Sequence, residues 1–272
     1  MYEAIEGFLD AGANDAIAWR YMKFSKLESL VQKSALFFAN MWVLARDDKY
    51  EGVYPQRNYD RVIEHLSALP PDADPIDIFS ARASAYAHDE LVRRTRANSY
   101  ASCWHKSEHE SDAMWSKYLM QRLFRKLYLA SDGIAVRSTI GRLRACLRTA
   151  PGSQHIAAVR YIDYVRAPPE PSHAQLLLNK RLAFDYEKEV RLLAYDKNPP
   201  ELFGGTAHGI FVPVLLEDLI EGVYVSPRSS DKFMKRVTSL LATGGVSKPV
   251  RRSQIDIDPP TADAALTNLP PQ

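Results

Sequence analysis

The connections between the predicted strands are the feature that most restricts the fold of this chain. Gly209–Leu215 and Glu221–Ser226 both show the apolar patterning of strands, and only a short turn separates them. Connections of this kind are too short for the helical crossover that joins parallel strands. The sequence therefore predicts an α+β fold, with a single domain whose mixed, mostly antiparallel sheet is flanked by helices.

Composition breaks divide the 272 residues into three parts. Residues 1–15 are predicted to form an N-terminal helix, ended by Gly12 and Asn14. Residues 16–252 are predicted to form the α+β domain, with a helical insertion near 53–97 that proline residues interrupt. Residues 253–272, rich in proline and alanine towards their end, are predicted to be a disordered tail.

Charge and composition exclude several classes of function. A formal net charge of +2 implies no global attraction to nucleic acid or to an anionic membrane. No apolar run approaches the ~20 residues of a membrane-spanning helix, and Met1–Asp10 lacks the basic start of a secretory signal. Cys103 and Cys146 have no paired spacing, so we expect a cytoplasmic protein without a disulfide framework or a metal site.

A strongly charged stretch is Asn179–Leu193, which carries seven charged side chains and runs into an apolar segment. Apolar spacing predicts a helix over 176–184 and a strand from Glu187 onward. Charges at such a junction form either a solvated turn or a site at the mouth of a cleft. The acidic candidates are Glu187 and Glu189, and the basic candidates are Lys180, Arg181 and Arg191.

Arg20 stands out on the predicted strand Ala16–Met22. Ile17, Trp19 and Tyr21 alternate with it, so Arg20 points away from the large side chains of a strand that is predicted to be buried. A buried charge requires a partner or a ligand. A structural ion pair and a ligand contact both satisfy that requirement.

Other candidates lie at the ends of predicted elements. Ser138 and Thr139 join a strand to a helix, where a hydroxyl caps the helix or contacts a substrate. Ser25 begins a capping-box pattern that predicts a helix from Lys26. The remaining candidates are Trp104 and His105 at a strand end, Trp115 and Tyr118 on a helix predicted over Asp112–Tyr128, and Glu51 in a charged loop.

The order of these motifs resembles a bacterial family catalogued as domain of unknown function 2971, over residues 16–245. The residues that carry the resemblance include Trp19-Arg20-Tyr21-Met22, Cys103-Trp104-His105, Gly133-Ile134-Ala135-Val136, Val159-Arg160-Tyr161-Ile162-Asp163-Tyr164 and Tyr186-Glu187-Lys188-Glu189-Val190-Arg191. The resemblance implies no established activity. Members often carry Asn-Asp-Pro in the early acidic loop, where this chain has Asp48-Lys49-Tyr50-Glu51.

Three of the motifs also resemble ADP-ribosyltransferases of the arginine–serine–glutamate type. The matching residues are Arg20, Ser138-Thr139 and Glu187-Lys188-Glu189, although Ile140 stands at the third position of the usual Ser-Thr-Ser. The resemblance implies a glycosyltransferase that uses NAD as its substrate and needs no metal. It places Arg20 on the pyrophosphate, and Ser138 and Thr139 on the nicotinamide ribose. Glu189 would stabilise the oxocarbenium-like charge, Glu187 would orient the nucleophile, and the aromatic candidates would contact nicotinamide.

Two alternatives to this transferase stay open. One is a nucleic-acid-processing or nucleotide-binding protein with a role in defence or as a toxin, in which Glu187 and Glu189 hold a metal and Lys180, Arg181 and Arg191 contact phosphate. The other is a non-catalytic interaction module in which the same charges form an ion-pair network. For the transferase, the acceptor is a protein or a nucleic acid that the residues do not identify.

Overall fold

A computed structural model describes residues 9–123, 126–129, 133–148, 150, 154–170, 173–195 and 208–255. The first elements in chain order are β1 (Ile17–Lys23), α1 (Phe24–Lys33), β2 (Ala35–Asn40), α2 (Met41–Asp47), α3 (Gln56–Ser67), α4 (Pro75–Asn98), β3 (Ser99–Lys106), α5 (Asp112–Leu119), β4 (Met120–Leu123), β5 (Lys126–Leu129), β6 (Gly133–Thr139) and α6 (Ile140–Ala145). Then follow β7 (Gln154–Ala158), β8 (Arg160–Ile162), α7 (His173–Leu176), β9 (Asn179–Arg181), a 3-10 helix (Leu182–Glu187), β10 (Glu189–Tyr195), β11 (Gly209–Pro213), α8 (Leu216–Leu219), β12 (Gly222–Val225), α9 (Asp231–Thr243) and β13 (Val250–Arg252).

The described strands form one large sheet and two small ones. The large sheet runs in the order β11-β2-β3-β1-β6-β12-β13, and β10 and β7 extend it from β3. Every pairing in it is antiparallel except that of β12 with β13. This confirms the predicted α+β class with a mixed, mostly antiparallel sheet.

The sheet divides at β3. On one side β10 pairs with β3 from Ser99 to His105. On the other side β2 pairs with Tyr100 and Ala101, whereas β1 pairs with His105 and Lys106. Residues 102–104 therefore have no strand partner on that side among the described residues. The space between β1 and β2 that they face is called the sheet gap below.

Each face of the large sheet packs against its own helices. Ala18 of β1 packs in the main apolar core with Leu27 of α1, and this side is called the α1 face. Trp19, the next residue, packs on the opposite side with Trp115 of α5, and this side is called the α5 face. Because strand side chains alternate, the register of the sheet decides which candidates share a face.

Three local predictions of helix are wrong or incomplete. The helix predicted over Asp112–Tyr128 ends at Leu119 and a hairpin of β4 with β5 follows. The helix predicted over 176–184 is replaced by β9, which pairs in parallel with β8, and by the 3-10 helix. In both places pairing with another strand overrides the local helical pattern. Ser25 does not cap α1, which begins at Phe24 with Lys23 at the N-cap position.

The predicted terminal segments are described only in part. Residues 1–8 and 256–272 lie outside the described ranges, and residues 9–15, predicted as the end of a helix, contain none. Gly12 has a φ of 117°, which no helix accommodates. In the predicted insertion, α3 and α4 are the principal elements, and the status of that segment as an insertion stays a proposal. No helix within the described ranges is both long and apolar enough to span a membrane.

Candidate functional site

A cavity of about 410 Å³ lies at the sheet gap and is called the cleft below. Its size is within the usual range of ligand pockets, roughly 300–1,000 Å³. Side chains of both sheet faces line it because the missing strand pairing opens a passage between them. The residues used below that line the cleft are Arg20, Tyr21, Lys26, Phe37, Cys103, Trp104, His105, Tyr118, Glu187 and Glu189.

Arg20 lies at one end of the cleft. Its Nη2 donates to the carbonyl oxygen of Phe37 at 3.0 Å, and its guanidinium lies 5.8 Å from the centre of the Trp104 ring. Burial lowers the pKa of Arg20, and the groups that oppose this effect are Cys103 and Tyr118. Neither is a carboxylate, so the guanidinium has the desolvation of a buried charge without a strong counter-ion.

The first turn of α1 adds a second cation beside Arg20. Lys26 lines the cleft, and burial together with neighbouring Arg20 and Lys23 lowers its pKa, whereas the carboxylate of Asp47, which also lines the cleft, opposes this effect. α1 has no side-chain cap and no acidic residue in its first turn. This helix start therefore keeps unsatisfied N–H groups and the positive end of the helix dipole. Arg20 and Lys26 outnumber the one carboxylate beside them, that of Asp47, so this part of the cleft suits an anion.

Two carboxylates lie at the other end of the cleft. Glu187 ends the 3-10 helix and Glu189 begins β10, and Lys188 between them is left-handed with φ 39° and ψ 51°. This turn brings both carboxylates to the ammonium of Lys180, which is 2.8 Å from Glu187 Oε2 and 2.9 Å from Glu189 Oε2. Both glutamates are almost fully buried.

Arg191 and Glu51 complete the support behind Glu189. Arg191 Nε donates to Glu189 Oε1 at 2.7 Å, and Arg191 Nη2 donates to Glu51 Oε1 at 2.8 Å. Glu51 Oε1 is also 3.4 Å from Lys180 Nζ. On the solvent side, Lys117 Nζ lies 2.5 Å from Glu187 Oε1. The buried ion cluster formed by these six residues contains three carboxylates and three cations.

The buried ion cluster holds Glu189 ionised. Burial by itself would raise the pKa of Glu189, but Arg191 and Lys180 outweigh burial and keep that pKa well below its usual range. Burial would lower the pKa of Lys180, but Glu189, Glu51 and Glu187 together outweigh burial, so that pKa is raised. Strongly perturbed, buried charges beside a cavity are typical of functional sites, although structural networks produce them too.

Aromatic groups occupy the cleft between its two ends. His105 Nδ1 donates to the carbonyl oxygen of Glu187 at 2.6 Å, and burial lowers the pKa of this imidazole. A neutral His105 with its proton on Nδ1 keeps Nε2 as an acceptor. Tyr118 lines the same space, and burial raises its pKa. Trp104 lies towards Arg20.

Ser138 and Thr139 lie outside the cleft, contrary to the expected arrangement with Arg20 and Glu189. Ser138 pairs in register with Ala18, so it belongs to the α1 face, whereas Glu189 is in register with His105 on the α5 face. Ser138 is fully buried and its hydroxyl donates to the carbonyl oxygen of Leu219 at 2.6 Å. Thr139 caps α6.

Trp115 and Arg181 also lie outside the cleft. Trp115 packs edge-on against Tyr21, with ring centres 4.9 Å apart, and its Nε1 donates to Glu110 Oε2 at 3.0 Å. Trp115 therefore contacts a residue that lines the cleft without lining the cleft itself. Arg181 forms an ion pair with Asp48 at 2.8 Å on the loop that carries Glu51. Lys180, Arg191 and Glu51 stand behind the carboxylates that line the cleft.

Sequence reasoning missed several residues that shape the site. The sequence identifies Lys26 only as the start of a predicted helix, and Lys117 only as a residue within another predicted helix. Tyr161 accepts a hydrogen bond from the backbone N–H of Glu189 at 2.7 Å, which fixes the start of β10. Cys103 adjoins Glu189, whose carboxylate its thiol contacts. Only the pairing of β3 with β10 would have indicated this last contact.

The donor set within the described residues does not form a metal site. No group of His, Cys, Asp and Glu in the described ranges has a metal-binding arrangement. The ammonium of Lys180 occupies the position between Glu187 and Glu189 that a divalent cation would take. Glu187 and Glu189 are therefore paired with the ammonium group of Lys180 instead of being open to a metal ion.

Comparisons with known proteins give weak structural likenesses. No family model matches the chain, so the resemblance to domain of unknown function 2971 has no support from a family model. No curated protein matches it either. A solved structure of Thermus sp. 2.9 DarT in complex with NAD+ has a TM-score of 0.41 at 10% identity, covering 89% of this chain and 97% of that chain.

Two further structures of that protein give similar values. The complex with carba-NAD+ has a TM-score of 0.39 at 10% identity, covering 90% of this chain and 98% of that chain. The complex with ADP-ribosylated ssDNA has a TM-score of 0.40 at 10% identity, covering 90% of this chain and 96% of that chain. Likenesses at this level carry no inference about function.

Proposed function

We propose that the cleft binds NAD and that the chain transfers ADP-ribose from it to an acceptor. The observation that carries the proposal is the polarity of the cleft. Among the described residues no carboxylate forms an ion pair with Arg20, which lines the cleft from β1, and ionised Glu189 lines it from β10 on the other side of β3. NAD has matching polarity, because its pyrophosphate is anionic and its nicotinamide ribose becomes cationic when nicotinamide departs.

The residues present fit this substrate. Arg20 and Lys26, with the open first turn of α1, supply the donors and the positive charge that a pyrophosphate needs. His105 and Tyr118 supply flat surfaces and hydrogen-bonding groups close to the carboxylates.

The reaction requires a negative charge close to the ribose C1′. The glycosidic bond between the ribose C1′ and the nicotinamide nitrogen breaks, and its electron pair neutralises the pyridinium. A nucleophile on the acceptor forms the new bond at C1′ and releases its proton to solvent. Glu189, held ionised, stabilises the positive charge that develops at C1′. Lys180 and Arg191 fix its orientation and keep its carboxylate from collecting a proton.

The two alternatives receive different support. The metal-dependent nucleic-acid-processing or nucleotide-binding alternative requires carboxylates that are open to a cation, and Lys180 forms ion pairs with both Glu187 and Glu189. The non-catalytic module is favoured by one observation, since the carboxylates in the buried ion cluster are paired with cations. Its weakness is that the cluster opens onto a cavity rather than onto the apolar core.

The test follows nicotinamide release and the transfer of label from adenine-labelled NAD to added single-stranded nucleic acid or lysate protein. We expect the wild type to release nicotinamide and Glu189→Gln to be at least about 100-fold slower. Arg20→Ala should raise KM more than it lowers kcat. Ser138→Ala is the matched control inside the same sheet, and we expect its rate to stay within about twofold of the wild type.

Each variant is first shown to be folded by circular dichroism. Absence of nicotinamide release from the wild type with every acceptor contradicts the proposal. A folded Glu189→Gln variant with the wild-type rate contradicts the assigned site. Excess EDTA should leave the rate unchanged, whereas the metal-dependent alternative requires its loss.

A further inference from the structure

His105 is a buried titratable residue whose second ring nitrogen has no partner in the described part of the chain. The ring is almost fully buried and lines the cleft, and its Nδ1 donates to the carbonyl oxygen of Glu187 at 2.6 Å. Nε2, on the other side of the ring, takes no hydrogen bond from the described residues. Because Nδ1 carries the proton, Nε2 is the position at which this imidazole can accept a proton from a ligand in the cleft.

The pairing of β3 with β10 places this imidazole beside the carboxylate of Glu189. His105 and Glu189 are direct partners across the antiparallel pair, so their side chains leave the same face of the sheet. The Cβ atoms of such partners are about 5 Å apart. A group that attacks a ribose C1′ held against Glu189 therefore comes within reach of His105.

The other titratable groups around this position are poorly suited to take a proton. Burial would raise the pKa of Glu189, but the cations of the buried ion cluster keep it well below its usual range. Each carboxylate oxygen of Glu187 is paired with a lysine ammonium group of the same cluster. Burial raises the pKa values of the Tyr118 phenol and the Cys103 thiol, so both groups stay protonated at neutral pH.

We propose that His105 Nε2 is the general base of the reaction and that the acceptor attacks through a hydroxyl or an N–H group. The inference rests on the proposed function. The attacking atom bonds to C1′ as the bond from C1′ to nicotinamide breaks, and its proton passes to Nε2. The imidazolium then releases that proton to solvent, which returns His105 to its neutral form. A carboxylate acceptor has no proton to give and needs no such base.

The groups that face the imidazole leave it neutral at pH 7. Burial lowers the pKa of His105, and the hydrogen bond to the carbonyl oxygen of Glu187 opposes this effect. The ammonium of Lys188 lowers the pKa and the carboxylate of Glu187 raises it, and the net shift is downward. From β1, Tyr21 packs its ring against His105 with centres 6.3 Å apart, and burial raises the pKa of this phenol. The base should therefore become protonated only below about pH 6.5.

Competition between water and azide for the same NAD tests the role of His105. Water must lose a proton when it attacks C1′, whereas the azide ion has none to lose. His105→Asn keeps a side-chain N–H for the carbonyl oxygen of Glu187 and removes the nitrogen at the Nε2 position. We expect this variant to raise the ratio of ADP-ribosyl azide to ADP-ribose at least about tenfold over the wild type. His109→Asn, at an exposed histidine outside the cleft, is the matched control and should leave the ratio unchanged.

Mass spectrometry of the products separates the outcomes. A wild type that cleaves no NAD would overturn the proposed function. A wild type that forms both products in the same ratio as folded His105→Asn would overturn the role of His105 and leave the proposed function standing. In the wild type the ratio should rise as the pH falls below about 6.5, and a ratio independent of pH between about 5.5 and 8 would overturn that role without any variant. An acceptor that carries ADP-ribose on a carboxylate would overturn the inferred acceptor class.

Discussion

The charged guanidinium of Arg20 is buried at the sheet gap. Its desolvation lowers the free energy of unfolding when the cleft is empty. This guanidinium donates to the carbonyl oxygen of Phe37, and no carboxylate in the described part of the chain forms an ion pair with it. We expect Arg20→Met to raise the free energy of unfolding by about 1 kcal/mol, because an apolar side chain of similar length avoids the desolvation. The same change should abolish any stabilisation by added NAD. Denaturant unfolding with and without NAD measures both effects.

Arg142 provides the control for that experiment. Its Nη1 donates to the carbonyl oxygens of Glu217 and Asp218 at 3.0 and 2.9 Å. We expect Arg142→Met to destabilise the fold, because two carbonyl groups lose their donor. If Arg20→Met were as destabilising as Arg142→Met, Arg20 would be a structural residue and its role in the cleft would be wrong.

At the scale of elements, the junction between the 3-10 helix and β10 is set by Lys188. Its left-handed backbone places Glu187 and Glu189 around Lys180, and its carbonyl oxygen accepts a bond from the N–H of Lys106 at 2.9 Å. We expect Lys188→Gly to raise the free energy of unfolding by about 1 kcal/mol, since glycine adopts this conformation without strain. Lys188→Val should lower it by about 1 kcal/mol.

Urea unfolding of the two Lys188 variants checks the sign. Lys188 is exposed, so neither substitution removes a buried contact of its side chain. A loss of stability in both variants would show that the lysine side chain, rather than its backbone conformation, stabilises the junction.

At the scale of the whole molecule, the buried ion cluster joins segments that are distant in sequence. Glu51 comes from the early loop, Lys117 from α5, Lys180 from β9 and Glu189 from β10. The depressed pKa of Glu189 couples this cluster to pH. The pKa of a glutamate in the unfolded state is about 4.3. Above that pH the ionised carboxylate of Glu189 stabilises the fold. This stabilisation is lost as the pH falls towards the lower pKa of the folded state.

We therefore expect the free energy of unfolding to fall steeply below about pH 5. Glu189→Gln should lower stability by about 3 kcal/mol at pH 7 and make the decline with acid shallower. The raised pKa of Lys180 adds no slope here, because that lysine is protonated in both states below about pH 10. Urea unfolding at several pH values measures the slope, with exposed Glu108→Gln as the control. Equal slopes in the wild type and Glu189→Gln would contradict the coupling.

Local pattern in the sequence was sufficient for the class of fold and for several strands. Alternation predicted β1 and placed Arg20 opposite Trp19. The mostly antiparallel sheet was also predicted, although the two strands whose short connection led to that prediction, β11 and β12, do not pair with each other: β11 pairs with β2, β12 pairs with β6 and β13, and α8 lies between β11 and β12. The crowding of charge around Glu187 and Glu189 also predicted that these residues belong together, although their use as a site stays a proposal. These features depend on neighbours within a few residues, which is the range over which periodicity carries information.

Tertiary structure alone decided which candidates meet. The register of β6 with β1 turned Ser138 to the α1 face, and the pairing of β8 with β9 brought Lys180 to the carboxylates in place of a helix. The division of the sheet at β3 opened the cleft to Arg20, although its strand alternation assigns it to the other face. Strand register and pairing depend on contacts between distant segments, and a shift of one residue reverses the face of every side chain.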